Sequence, residues 1–398
     1  MKYSKILYMK TKKYLLPIIL SLLLFFMIKN PGLVMERARL GLYSWFNILL
    51  PSLLPFMIIS EILISSDSIS SLAPFLDPIM GFTFKIPGLG ALPLLIGYLS
   101  GYPMGARLSC QLRKSNLLSR QDANRLIAFS NTSGPLFILG TVSIGLLNTS
   151  EINLLLLFPH FFGALTLGFF LRAFNRRLNS KGTLEKTRRL NKFEKLYELN
   201  KQKLPLGRLI SNSVKNSINN ILLIGGFVVL YSVLIEIVFQ LKSINYIIYL
   251  LSDTFNVASD VIRAFLSGII EITQGCISIA SLNTSFFVKI IMLNFTIAWG
   301  GLSIHSQALS FILETDISPS IYLLSKIGHG FLSIFYTIII YFLRFRDYSL
   351  PSFSFIPAYP TFFNFKVFIS TFLKQGQLAA YFLFSYLIIS SISNFLKK

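Results

Sequence analysis

The stretch "GYLSGYPMGARLSCQLRKSNLLSRQDANRLIAFSNTSGPLFILG", Gly97–Gly140, is apolar at both ends and interrupted inside by glycine, proline and small polar residues. Gly101, Tyr102, Pro103 and Gly105 break one candidate membrane segment. Asn131, Thr132, Ser133, Gly134 and Pro135 break the next. Irregular backbone at membrane depth is tolerated only where protein buries it or water reaches it. Two neighbouring breaks therefore point to a site, and in transporters such breaks are where substrate binds.

The rest of the chain fits that setting. Of 398 residues, 53% are hydrophobic and only 13% charged, against roughly 25% charge in a soluble domain. The mean hydropathy is +0.65, and several apolar runs approach the roughly 20 residues that span a bilayer. The composition specifies a polytopic helical membrane protein. The net charge of +21 does not indicate nucleic-acid binding, because it lies between apolar runs. Residues 172–208 hold twelve Lys or Arg against Glu185, Glu194 and Glu198, and Lys2, Lys5, Lys10, Lys12 and Lys13 precede the first run. This is the positive-inside pattern of cytoplasmic segments, with attraction to anionic lipid as a second consequence. Cys110 and Cys276 are too few and too far apart for a disulfide framework or metal motif, and read as packing residues.

Working outward, residues 1–30 read as a basic segment and a retained signal anchor, Tyr14–Ile28. Residues 31–171 form a first repeat. It comprises a span at Leu40–Ile64 containing Pro51 and Pro55, a loop or short interfacial segment at 65–86, and a re-entrant hairpin at Pro87–Leu118. A broken span at 122–147 and a continuous one at 152–171 complete it. The basic loop 172–208 divides the chain. Residues 209–345 repeat the plan: a span at Val214–Gln240, a hairpin at Val257–Asn283 broken near Glu271–Gly275, a broken span at Phe286–Leu313 and a continuous span at Tyr322–Phe345. Residues 346–398 add a polar, aromatic stretch and a final span at about Leu378–Phe395.

The halves carry matching fragments. "LSG" at Leu99–Gly101 recurs at Leu266–Gly268, and Gly134 answers to Gly301, both offset by 167; "NILL" at Asn47–Leu50 recurs at Asn220–Leu223, offset by 173. A common order and near-common offset predict an internal repeat. With the basic N-terminus and the 172–208 loop both cytoplasmic, the first repeat starts outside and the second inside. The repeats are then inverted and their hairpins enter from opposite faces, the plan of an alternating-access carrier. Arg344, Arg346, Lys366 and Lys374 fall on the outer side, a mild departure from the charge rule.

"GYPMGA", "NTSGPLFI", "EITQG" and "GGLSIHSQ", in that order, resemble the YlbJ family of sporulation integral membrane proteins, also called SpoVV, within the nucleoside-recognition or Gate-domain group. The resemblance covers about residues 15–345. It implies a transporter-like protein of endospore-forming bacteria, resembling concentrative nucleoside transporters in its opposed hairpins and broken helices. It also implies export of dipicolinate from the mother cell across the outer forespore membrane. A nucleoside or another organic anion is an alternative substrate, and a channel or a gate subunit of a membrane complex an alternative role. Carriers of this architecture often form homo-oligomers.

A planar dicarboxylate needs hydrogen-bond donors, positive potential and an aromatic face. Half-helix N-termini at Gly134 and Gly301 supply unpaired N–H groups and partial positive charge. Asn131, Thr132 and Ser133 add donors in the first half; Gly300, Ser303, His305 and Gln307 do so in the second. Any of these also serves simply to satisfy freed backbone or to bond neighbouring helices. Gly101, Tyr102 and Pro103 form the hairpin tip, with Tyr102 able to stack on a ring. Arg107 is the leading cation, since its planar fork suits a carboxylate, although it also fits as a snorkelling surface charge. Glu271, flanked by Thr273 and Gln274, is an acid inside a candidate span, and so a candidate coupling site for H+ or Na+. Asp260 and Arg263 are spaced to pair, and His160 has no evident role. No P-loop, no paired-carboxylate cluster and no His-rich metal spacing is present, so neither an enzyme nor a resident cofactor is expected.

Overall fold

The helix Pro319–Ile340 shows what solvent this chain folds in. One stripe, Tyr322, Lys326, His329, Ser333 and Thr337, is fully buried. The opposite stripe, Leu324, Ile327, Phe331, Phe335 and Ile338, is exposed, with Phe331 at 63%. Both stripes follow the three-to-four-residue helical period. A polar stripe inside and an apolar stripe outside reverses the pattern of a water-soluble protein and fits a helix between a protein core and lipid. The computed structural model describes residues 17–65, 68–175 and 205–348. The N-terminal lysines, most of the basic loop 172–208 and the final span lie outside the described residues.

Every regular element among the described residues is helical. In chain order they are α1 (Pro17–Lys29), α2 (31–65), α3 (Ser68–Phe84), α4 (Ala91–Ser100), α5 (Met104–Lys114), α6 (Arg120–Ser130), α7 (135–146) and α8 (Asn153–Leu171). There follow α9 (Leu206–Gln240), α10 (Lys242–Phe255), α11 (Ser259–Ile270), α12 (Ile272–Ala280), α13 (Phe286–Trp299), α14 (Gly301–Ile312) and α15 (Pro319–Ile340), which continues as a π-turn to Phe345. Four helical stretches are long and apolar enough to cross a membrane, or up to six if each of two bent pairs counts as one span. One of those pairs is α1 with the start of α2, bent by 100°.

Two expectations are refined here. The span placed at Leu40–Ile64 begins earlier: α2 starts at Pro31, where proline's missing N–H costs nothing. It runs on through a π-turn at Trp45–Leu49, and the Leu50 N–H reaches back to the Trp45 carbonyl. That widened turn directly precedes Pro51, which cannot donate to the helix ladder. Of the two readings of residues 65–86, a loop or a short interfacial segment, the structure excludes the loop over Ser68–Phe84. Ser68–Phe84 is a helix whose Met80 and Phe84 are buried. Its serines and prolines read as turn formers, but Leu76, Met80 and Phe84 keep the helical spacing, and Asp77 accepts the Gly88 N–H at 2.6 Å to start the next turn.

Among the described residues, the two larger apolar clusters each draw on both halves. One apolar cluster joins Leu49, Ile138 and Leu155 to Ile224, Cys276 and Ile297; another joins Phe84, Cys110 and Phe129 to Ala308 and Tyr322. The long helices α2 and α9 pair in opposite directions: Arg37 meets Glu236, the Trp45 indole donates to the Ile221 carbonyl, and Glu61 accepts from Asn216. A Cβ on Gly225 would sit 2.6 Å from the Trp45 ring, so glycine makes this close approach. Helices α8 and α15 also pair in opposite directions, with Phe158 on Tyr336, Gly163 on Ser333 and Leu167 on Gly328.

Candidate functional site

The first hairpin, α4–α5, turns at Gly101–Pro103 and presses on the break in α6–α7. Gly101 has φ +80°, and a Cβ there would lie 2.6 Å from the Gly134 nitrogen. Cβ atoms on Gly97 or Gly105 would each come 2.0 Å from the Ser130 carbonyl oxygen. Only glycine fits these three places. After Ser130 the backbone turns extended at Asn131, and the freed groups are satisfied individually. The Ser133 N–H donates to His160 Nε2 at 3.0 Å, and Thr132 Oγ1 donates to the Gly97 carbonyl at 3.4 Å.

Lys326 stands against this break. It is fully buried, and its ammonium donates to the Tyr102 hydroxyl oxygen, the Asn131 carbonyl and His329 Nδ1, each at 3.0 Å. No ion pair to it occurs among the described residues. His329 Nε2 donates to the His160 carbonyl at 2.7 Å, which leaves Nδ1 free to accept. The Tyr102 hydroxyl proton is shared by the Ile297 and Ala298 carbonyls, both at 3.1 Å. These carbonyls lie in the last turn of α13, and Asn131 follows the last turn of α6. The cation and its tyrosine therefore sit where the C-terminal ends of two broken helices converge, ends that carry partial negative charge. Tyr322 extends the network: its oxygen accepts from the Asn131 amide at 3.0 Å and meets His305 Nδ1 at 3.1 Å.

The second hairpin, α11–α12, meets the second break in the same manner but with opposite charge. Glu271 is fully buried, sits between the two helices and caps α12, accepting the Gln274 N–H at 2.7 Å. Ser303 donates to it at 3.4 Å, and Thr273 contributes its N–H and hydroxyl. Gly300 and Gly301 have φ +87° and +79°, and a Cβ on Gly301 would lie 3.0 Å from the Ile272 nitrogen. The legs of this hairpin touch at Gly275, whose Cβ would lie 2.1 Å from the Gly268 Cα. Beside it opens a cavity of about 720 Å³ lined by Arg37, Glu236, Asp260, Arg263, Ser267 and Gln274, among others. Gln274 thus faces the cavity while its N–H holds Glu271.

Of the residues singled out in the sequence, the structure brings Tyr102 and Asn131 to Lys326, and His305 to Asn131 through Tyr322. It brings Thr273, Gln274, Gly301 and Ser303 to Glu271. Tyr102 also reaches the second break, its ring carbon 3.3 Å from where a Gly300 Cβ would stand. Buried polar atoms without hydrogen-bond partners here include Asn131 Oδ1, His160 Nδ1, Thr296 Oγ1, His305 Nε2, both polar atoms of the Gln307 amide and Arg107 Nη1. Arg107 has an ion-pair partner, Glu61 at 3.5 Å, and its side chain is 25% exposed. Arg263 does not pair with Asp260; it donates to Asn245 and lies over Phe239. "LSG" does not mark equivalent places, since Gly101 is the hairpin tip whereas Gly268 lies inside α11 and the second tip is Glu271.

Lys326 and Tyr322 were not singled out in the sequence, and His160 was given no role. A signal existed: read as one helix, residues 322–337 show Lys326, His329, Ser333 and Thr337 on a single stripe in an otherwise apolar run. An ionisable residue on such a stripe is a functional candidate by default.

Helices with their polar stripes inward and apolar stripes outward, broken at buried glycines, define a polytopic integral membrane protein. The chain is 32% identical over 311 residues to the sporulation integral membrane protein YlbJ of Bacillus subtilis (strain 168), an alignment covering 76% of each protein. It belongs to the YlbJ family of sporulation integral membrane proteins. No family model and no solved structure matches the chain.

Proposed function

We propose that the protein is a secondary transporter that carries a small organic anion, dipicolinate, across the outer forespore membrane by alternating access between two inverted repeats. The observation that carries this reading is the set of buried, unpartnered polar atoms on Asn131, His305 and Gln307 around two helix breaks. An unmade hydrogen bond inside a protein costs about 1–3 kcal/mol, and a ligand reaching both breaks would complete these. The buried ammonium of Lys326 supplies positive potential for an anion, and Tyr102 an aromatic face.

Inverted repeats are supported by the order of elements. A long helix, a shorter one, a hairpin, a broken helix and a continuous helix occur in α2–α8 and again in α9–α15. Antiparallel pairing of α2 with α9 and of α8 with α15 is what inversion requires. Sidedness is supported by contacts at the two ends. Arg113 pairs with Asp316, Lys114 with Glu314, and Asn124 accepts the Ser318 N–H at the end assigned to the cytoplasm. Arg37–Glu236 and Thr149–Tyr348 lie at the other. The cavity at Gln274 offers a water route to the second hairpin from that outer end.

The test is thermal unfolding of the purified protein with dipicolinate, uridine and other anions. A ligand at 100 times its Kd stabilises the folded state by about 2.7 kcal/mol. Stabilisation by dipicolinate, lost in His305→Ala, is expected. Stabilisation by uridine without any by dipicolinate would overturn the substrate. Uptake into liposomes that never saturates would replace the carrier with a channel.

A further inference from the structure

We propose that Lys326 is the proton-coupling site of this carrier. The inference rests on the transport reading and names its coupling ion. Three oxygen or nitrogen acceptors surround Nζ, each at 3.0 Å, and each on a different element: Tyr102 on the first hairpin tip, Asn131 at the first break, His329 on α15. Three acceptors match the three N–H donors of an ammonium. Two helix C-termini point their partial negative charge at the same place, as they would at a bound cation. The site is filled, and what fills it can gain or lose one proton.

Loss of that proton has a geometric consequence. A neutral amine has two N–H groups and a lone pair, so it cannot donate to all three acceptors, and the Tyr102 contact survives only if the hydroxyl turns its proton from the Ile297 and Ala298 carbonyls to the amine. The first hairpin tip is held to α15 through Tyr102–Lys326. Loss or reversal of the Tyr102 bond on deprotonation loosens the first hairpin tip. The ionisable groups facing Lys326 are Tyr102 from the hairpin, His160 from α8, His305 from α14, and Tyr322 and His329 from α15 itself. Among the described residues no carboxylate pairs with it; Glu271 is engaged at the second break. In the transport cycle the amine takes a proton from water on one side, the ammonium favours the bound anion, and the proton leaves with the anion on the other side. The empty carrier returns with the neutral amine, and nothing is oxidised or reduced.

The chain carries its own reporters. Its two cysteines, Cys110 and Cys276, lie one on each hairpin's second leg, and both are buried. Maleimide labelling of the full-length protein, read separately at each cysteine by mass spectrometry, measures the opening of each hairpin. Labelling of Cys276 corrects for the ordinary effect of pH on thiols. In Lys326→Met, Cys110 should label about tenfold faster than in the wild type, as expected for loss of a buried charge-assisted bond. In the wild type the ratio of Cys110 to Cys276 labelling should rise with pH; in Lys326→Arg, which keeps the charge, it should stay flat. Slow Cys276 labelling in each variant shows that the fold is intact. In liposomes, dipicolinate uptake should respond to a proton gradient and ignore replacement of Na+ by choline. Lys326→Arg should retain dipicolinate exchange and lose gradient-driven accumulation. A Na+ requirement, or a Cys110 rate indifferent to Lys326→Met, overturns the inference while leaving a dipicolinate carrier standing. A Cys110 rate that follows pH and Lys326, in a protein that carries no dipicolinate, supports the proton site and removes the substrate instead.

Discussion

The two breaks share a backbone design and differ in charge. At the first, Gly97, Gly101 and Gly105 press the hairpin against the interrupted helix more closely than any side chain allows; at the second, Gly301 approaches the hairpin tip and Gly275 closes the hairpin's own legs on Gly268. At the first, the charged group is a cation resting on helix C-termini, Lys326 on the Asn131 carbonyl. At the second it is an anion on a helix N-terminus, Glu271 on the Gln274 N–H. Each charge thus opposes the partial charge of the helix end it meets. The difference teaches a division of labour. Glu271 is held by groups of its own hairpin and by Ser303 beside it, so it fastens one module. Lys326 reaches from α15 to a hairpin tip and a break in the other half of the chain, so its state is felt across the molecule.

The likeness of the backbones can be broken most forcefully at the glycines. Gly105→Leu and Gly275→Leu should each cost at least about 3 kcal/mol, the upper range for overpacking, seen as loss of folded protein in thermal melts. Tolerance of Gly105→Leu would deny the docking of the first hairpin on its break, and tolerance of Gly275→Leu the closure of the second hairpin's legs. The contrast in charge is sharpened by a pair of intermediate variants. Glu271→Ala removes a helix cap and should destabilise by about 1–2 kcal/mol, while Glu271→Gln keeps an acceptor and should melt close to the wild type. His160→Ala orphans the Ser133 N–H and should cost about 1–3 kcal/mol. Equal melting of Glu271→Ala and the wild type would deny Glu271 its fastening role. The smallest effect belongs to the surface. Arg113 bonds Asp316 through two contacts at 2.7 and 2.8 Å and holds its carboxyl below the usual range. A depressed folded-state value means the stabilisation is present above the ordinary carboxylate titration and is lost as pH falls through the lowered one. Wild type and Asp316→Asn should therefore differ slightly in melting temperature at neutral pH and converge in acid.

The breaks were legible because each is written locally. Gly101–Pro103, Asn131–Pro135 and Gly300–Gly301 are helix-breaking residues inside apolar runs, and no tertiary knowledge is needed to see them. The helix Ser68–Phe84 was not legible, since its serines and prolines argue for turns and only burial of Met80 and Phe84 argues otherwise. Arg107 looked like the free cation of the site because its partner, Glu61, lies on a different helix. Lys326 was overlooked for the complementary reason. Its importance comes from Tyr102 and Asn131, each about two hundred residues earlier in the chain.

That separation has a consequence for how the protein is made. Tyr102 finds its acceptors only when residues 297 and 298 exist, and Asn131 finds Tyr322 and Lys326 only later still. Until α15 emerges from the ribosome, the first hairpin and its break must wait in the bilayer with polar groups unmet. Synthesis of α15 is the step that closes the fold.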